Sequence, residues 1–370
     1  MKKKLTIISA GVILISIILF LLNISCSKRE KNIIKIGAIL PLTEKLSYLG
    51  QEIQMTMQFF EKNYSINKIK IIPEDSKMNP KTGVNAAQKL FNMDKVNVVI
   101  TFGTSVSRAI LPISQSYKVP QFVYSIDPFI CRDGKGNVFR VFYNAELAAQ
   151  KMVNLILQRG YKKVILFHLN GEAWNHPVKI MLKNPSFVKV VVGEVMWDKI
   201  TTDFTPLCAK ISSLNPDAII IMGYASYFPS LFKTLWQYLS PQKVQIIGGL
   251  DFLELPPTFD KKFIENAYII GPQCLINPTT KQLQVAKEIE RFLGKRPSHF
   301  TFYTLDILNI ILNYTNEYKG VFSYRNFVKY VKNLKSYQGF SGIITFTKNG
   351  DTYSSLEWGI IKNGEIVPWR

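Results

Sequence analysis

The sequence predicts an α/β protein made of two doubly wound lobes whose connections form a hinge, on three observations. Residues 69–107 read as strand, capped helix and strand, ending in Gly103-Thr104-Ser105. A second alternation of strands and helices runs over residues 163–248. The body behind the amino-terminal segment, about 340 of the 370 residues, is longer than one hydrophobic core usually supports.

The amino terminus stands apart from this body. Lys2, Lys3 and Lys4 precede an uncharged run over 5–25, followed by Cys26 and the charged Lys28, Arg29 and Glu30. Residues 1–25 therefore read as an export signal or a membrane anchor, outside the fold. A run of about 20 apolar residues is long enough to span a bilayer. Leu22-Asn23-Ile24-Ser25-Cys26 also resembles a lipobox, in which Cys26 carries the lipid. The lipoprotein reading is preferred to the uncleaved helix, and either one tethers the folded body outside the cytoplasm.

From Ile34 onward the pattern is regular. Residues 34–40 predict a strand and 51–62 a helix. Ile69, Ile71 and Ile72 open the next strand, and the 75–80 cluster is turn chemistry. Ala86, Ala87, Leu90 and Phe91 keep helical spacing ahead of a β-branched strand over 96–101. Strand, helix, strand implies a parallel pair with a crossover. A helix over 106–117 and a strand over 119–127 complete the first series.

The second series takes strands at 163–167, 188–195, 218–222 and 244–248, separated by helices at 174–182, 204–214 and 228–239. Helices at 280–293, 299–314 and 324–334 then precede a hairpin turned by Asn349-Gly350. With those helices returning to the first lobe and the hairpin to the second, the lobes comprise 34–142 plus 275–335 and 143–274 plus 336–370. The chain then crosses between them several times, which makes a hinge.

Hydrophobic residues at 47% and charged residues at 19% describe a globular body, with 46 basic against 26 acidic residues. Without Lys2, Lys3 and Lys4 the excess is still about +17. The lysines are scattered, with no arginine-rich block or nucleic-acid motif, so the charge reads as solvated surface and nucleic acid is not a predicted partner. Cys208 reads as a small core residue, and spacing gives no support to a Cys131–Cys274 disulfide. His168, His176 and His299 form no metal-binding spacing, and neither a Walker A nor a G-x-S-x-G pattern is present. With no nucleophile, base and oxyanion donor assembled, neither an enzyme nor a cofactor is predicted.

Gly103-Thr104-Ser105 falls between a strand and a helix, where free N–H groups and the positive end of the helix dipole accept a carboxylate or phosphate. Capping of that helix by Thr104 or Ser105 is the alternative role. The strand-end position favours binding, because open α/β sheets bind ligands there.

The segments IKIGAILPLTEKLSYLGQE, PEDSKMNPKTGVNAAQKL, DKVNVVITFGTS, DFTPLCAKISSLNPDAIIIMGY and GFSGIITFTKNGD, in this order, resemble the periplasmic leucine/isoleucine/valine-binding protein family of ABC importers. The resemblance covers nearly all of 34–370 and implies the type I periplasmic-binding fold: two Rossmann-like lobes and a three-stranded hinge. It also implies ligand capture by closure and delivery to a membrane permease, without chemistry. Residue by residue, it places Thr104 and Ser105 at the ligand carboxylate. Ser125 and Asp127 fall where the family surrounds the ligand ammonium with a carbonyl and a hydroxyl. Asp127 departs from that pattern, and reads either as a sign of a more cationic ligand or as the cap of a turn before Pro128. Tyr224 matches a ligand-contacting tyrosine, Asp251 the acidic residue at the ammonium, and Trp174 a pocket tyrosine, with helix packing as its alternative role. Glu44 stands where the first loop usually has glycine. The expectation is an extracytoplasmic solute-binding protein of an ABC importer, taking an amino acid or related small polar ligand, with a ligand sensor reporting to a separate membrane protein as the alternative.

Overall fold

The computed structural model describes residues 33–44, 46–127, 129–256 and 258–369. The expected anchor over 1–25 and lipid attachment at Cys26 lie outside the described residues.

Two largely parallel sheets form the body. The first comprises β1 (Ile34–Leu40), β2 (Ile69–Asp75), β3 (Val98–Phe102), β4 (Gln121–Tyr124) and β5 (Val138–Phe139). Their order is β2-β1-β3-β4-β5, with every ladder parallel. The second carries β6 (Val164–Leu169), β7 (Val191–Trp197), β8 (Ala218–Met222), β9 (Gln245–Gly248) and β10 (Tyr268–Pro272), paired in parallel in the order β7-β6-β8-β9-β10. Strand order reverses beside β1 in one sheet and beside β6 in the other, and such switch points open crevices at the carboxyl ends of the strands. Every residue of β3, β6 and β8 is buried. Helices cover both sheet faces, so these strands read as unbroken apolar runs rather than as alternation.

The carboxyl-terminal part adds the antiparallel sheet of β11 (Tyr337–Gln338), β12 (Ile343–Phe346) and β13 (Thr352–Ser354). After it, β14 (Leu356–Lys362) and β15 (Glu365–Pro368) extend the second sheet, antiparallel at its β10 edge. The predicted hairpin therefore exists as β12–β13 but belongs to neither large sheet. Its connection is also longer than an Asn-Gly turn. Phe346 pairs with Thr352, and the loop is closed by Thr347 N donating to Asp351 O at 2.7 Å. Gly350 is required there, because its φ is 91° and a Cβ would lie 2.1 Å from the Val138 carbonyl oxygen.

The sequence prediction lacks the helix Ala145–Arg159, the strands β5, β10, β14 and β15, and several short helical turns. The helix has both end signals. Asn144 Oδ1 accepts from Leu147 N at 2.9 Å, and Gly160 closes it with φ 74°. The helices Thr280–Leu293 and His299–Glu317 pack on Ser47–Asn63 beside the first sheet. Buried Glu52 fastens this joint, accepting from Ser298 N at 2.9 Å and Thr301 Oγ1 at 2.8 Å and pairing with Lys295 at 2.5 Å. Burial pushes the Glu52 pKa up, but these donors outweigh it and hold the carboxyl below its ordinary value. Cys131, Cys208 and Cys274 are buried free thiols. No helix among the described residues is long and apolar enough to cross a membrane.

Candidate functional site

A cavity of about 300 Å³ lies between the two sheets, at the carboxyl ends of their strands. Its walls are mostly apolar and aromatic, including Phe102, Phe142, Met152, Met181, Met222 and Phe300. Polar groups enter from three directions: Thr104 and Ser125 from the first sheet, Tyr224, Asp251 and Glu254 from the second, and His299 from the helix His299–Glu317. This is the usual composition of a small-molecule pocket, apolar with a few convergent polar groups.

Thr104 opens the helix Thr104–Ser116. The residue at the N-cap is Gly103, with φ 87° and no side-chain cap, so neither Thr104 nor Ser105 caps the helix. The first helical bond runs from Ser107 N to Gly103 O at 2.9 Å, which leaves the N–H groups of 104–106 without helical acceptors. Thr104 Oγ1 and Ser125 Oγ lie 2.9 Å apart, and Ser125 Oγ also accepts from Asp127 N at 3.1 Å. Two hydroxyls thus stand at the positive end of the helix dipole.

Two of the residues assigned from sequence lie outside the cavity lining. Ser105 is exposed, because the second position of the helix turns its side chain to solvent. Asp127 is buried, paired with the Arg108 guanidinium and accepting from Phe129 N at 2.9 Å. These partners are the ones a turn-capping carboxylate would have, and Asp127 is not among the residues lining the cavity. Glu44 also lies outside the lining, and its φ of 69° is the left-handed conformation that favours glycine.

Across the cavity, Trp174 and Tyr224 meet edge to face with ring centroids 4.7 Å apart and planes at 81°. Trp174 follows β6 and Tyr224 follows β8, so the switch point of the second sheet places both rings on one wall. Asp251, on the turn after β9, accepts from Gly223 N at 3.2 Å. Burial pushes its carboxyl up to about 7, against the Gly223 N–H and the Trp174 side chain, which hold it down. The Glu254 carboxyl is also pushed up, first by desolvation and then by the charges of Asp251 and Glu52, although 30% of its side chain is open to solvent, which tempers the shift relative to Asp251. Among the described residues no lysine or arginine lines the cavity.

Sequence reasoning missed Glu254 and His299. Neither belongs to a recognisable motif, and only the meeting of the Leu250–Leu253 turn with the start of the His299–Glu317 helix brings them to one cavity.

The profile of the periplasmic binding protein family matches residues 33–355. Among solved structures, a leucine binding protein LivK from Thermotoga maritima is similar with a TM-score of 0.74 and 22% identity, covering 91% of this chain and 98% of that one. LivJ from Streptococcus pneumoniae in complex with isoleucine gives 0.75 and 17% over 90% and 97% of the two chains. A solute binding protein of an ABC transporter from Rhodopseudomonas palustris, in complex with 3,4-dihydroxybenzoic acid, gives 0.77 and 18% over 91% and 96%. At these TM-scores the chains share a two-lobed fold. Among curated proteins none matches.

Proposed function

We propose that this chain, which belongs to the periplasmic binding protein family, is an extracytoplasmic receptor that captures an amino acid or related small polar ligand and delivers it to an ABC permease. The lobes 34–142 plus 275–335 and 143–274 plus 336–370 close over the ligand, and a lipid on Cys26 holds the body to the membrane. Thr104, Ser125 and the free N–H groups of the 104–116 helix take the ligand carboxylate, and Tyr224, Trp174 and Asp251 cover it from the opposite lobe.

The observation that carries this reading is the polarity of the cavity, with the open helix start at Thr104 on one side and, on the other, two carboxyls that meet no lysine or arginine of the lining among the described residues. Relatives of the same fold are bound to an amino acid in one case and to an aromatic acid in another. Here the Asp251 and Glu254 wall favours the ligand that brings an ammonium, because an ammonium stabilises the ionised form of both carboxyls and a simple aromatic acid offers them nothing of the kind.

A thermal-shift screen of residues 27–370 against amino acids and aromatic acids tests the proposal. Ligand at about 100 times its dissociation constant adds roughly 2.7 kcal/mol of stability. An amino acid is expected to raise the melting temperature and to shrink the radius in solution scattering, and stabilisation by aromatic acids alone would reverse the ligand assignment.

A further inference from the structure

His299 is a buried side chain with an unmet requirement. It is 1% exposed, lines the cavity, and packs against Phe300 with ring centroids 4.2 Å apart and against Phe142 at 5.9 Å. Neither ring nitrogen has a hydrogen-bond partner among the described residues. A buried imidazole without partners carries a desolvation cost that a bound molecule can recover. Burial also pushes its pKa down to about 3, so the ring is neutral at physiological pH and one nitrogen offers a lone pair.

The carboxyl of Glu254 stands beside the ring. His299 Nε2 and Glu254 Oε1 stand 3.5 Å apart, too far for a good hydrogen bond and close enough for one donor to reach both. The two residues approach from opposite sides of the cleft. Ser298, just before His299, is bonded to Glu52 of the Ser47–Asn63 helix on the first sheet, while Glu254 ends the turn that follows β9 of the second. A donor seated between them therefore bridges the lobes.

We propose that His299 and Glu254 form a second polar subsite of the cavity, made for an amine at the far end of a ligand whose carboxylate sits at Thr104. The proposal rests on the capture reading above and narrows its ligand class to amino acids with an amine-terminated body. The amine donates to His299 Nε2 and to Glu254 Oε1. The apolar walls hold the body between. A plain branched-chain amino acid satisfies neither group.

Calorimetry and thermal shift with two matched pairs test this: norleucine against lysine, and phenylalanine against 4-(aminomethyl)phenylalanine, on the wild-type protein, Glu254→Gln and His299→Phe. The expected result is at least tenfold tighter wild-type binding of the amine-bearing member in one pair, falling to parity in Glu254→Gln. His299→Phe, which keeps an aromatic ring in the nest, is expected to lose the same preference. Equal or tighter binding of norleucine and phenylalanine overturns the subsite and leaves the capture reading standing. No thermal shift and no contraction with any of the four overturns both.

Discussion

Arg140 grips Asp351 with a two-pronged hydrogen bond, Nε and Nη2 each donating at 2.7 Å to a different carboxylate oxygen. The guanidinium is almost wholly buried, with its side chain 2% exposed against 20% for Asp351. Around it, Arg140 N donates to Gly350 O at 3.0 Å and Thr352 Oγ1 donates to Arg140 O at 2.8 Å. The segment leaving the first sheet after β5 is thus bound side by side to the β12–β13 loop, where the sequence places the crossings between lobes.

Breaking this pair is expected to destabilise the protein. Removing one partner of a buried ion pair costs about 3–5 kcal/mol, and the partial exposure of Asp351 puts this case near the lower end, about 3 kcal/mol. Urea denaturation of Asp351→Asn checks the value, and a loss below about 1 kcal/mol means the backbone bonds alone hold the crossing.

The acidic wall makes stability fall as pH rises. Burial lifts Asp251 to about 7 and pushes Glu254 up as well, so the folded protein keeps protons that the unfolded chain, with ordinary carboxyls, has released. Where the unfolded state binds fewer protons, stability declines with pH, here from about pH 4 through pH 8. Glu52, Tyr48, Tyr143, Tyr224 and His299 surround the pair. Of these, the tyrosines titrate higher, whereas His299, lowered from 6.5 to about 3, and Glu52, lowered from its ordinary value, add an opposite rise with pH that is complete by about pH 6.5, so the comparison is made with variants of the two carboxyls rather than on the wild type alone. Asp251→Asn and Glu254→Gln are therefore expected to gain on the wild type, in the absence of ligand, as pH is raised from 5 to 8.5. Denaturation midpoints that differ by the same amount at every pH would remove the argument.

Thr104→Val separates ligand binding from folding. Gly103, not Thr104, holds the N-cap position, so the helix start survives, and the substitution keeps the side-chain shape. A hydrogen bond to a charged group contributes about 1.5–3 kcal/mol, so affinity for the amino acid found in the screen is expected to fall at least about tenfold. Calorimetry paired with a melting curve reads both quantities, and unchanged affinity would place the carboxylate elsewhere.

Much of the fold was legible because its signals are local. The β-branched run predicted over 96–101 is β3, Val98–Phe102, and the apolar run predicted over 218–222 is β8. The helix Ala145–Arg159 escaped notice although Asn144 and Gly160 mark its ends. Its apolar positions are spread more widely around the axis than a single exposed-and-buried stripe allows, since Ala148, Ala149, Met152, Val153, Leu155 and Ile156 are all buried.

By itself the sequence determined the alternation of strands and helices and the place of Thr104 at the end of β3 ahead of a helix. Both follow from residue spacing along a continuous segment. Only the tertiary structure decided which carboxylates face the cavity. Asp127 is taken up by Arg108 from a neighbouring helix, while Glu254 stands 3.5 Å from His299 at a cavity with no lysine or arginine in its lining among the described residues. Charge compensation depends on which side chains meet in space, and partners distant along the chain leave no periodic trace in it.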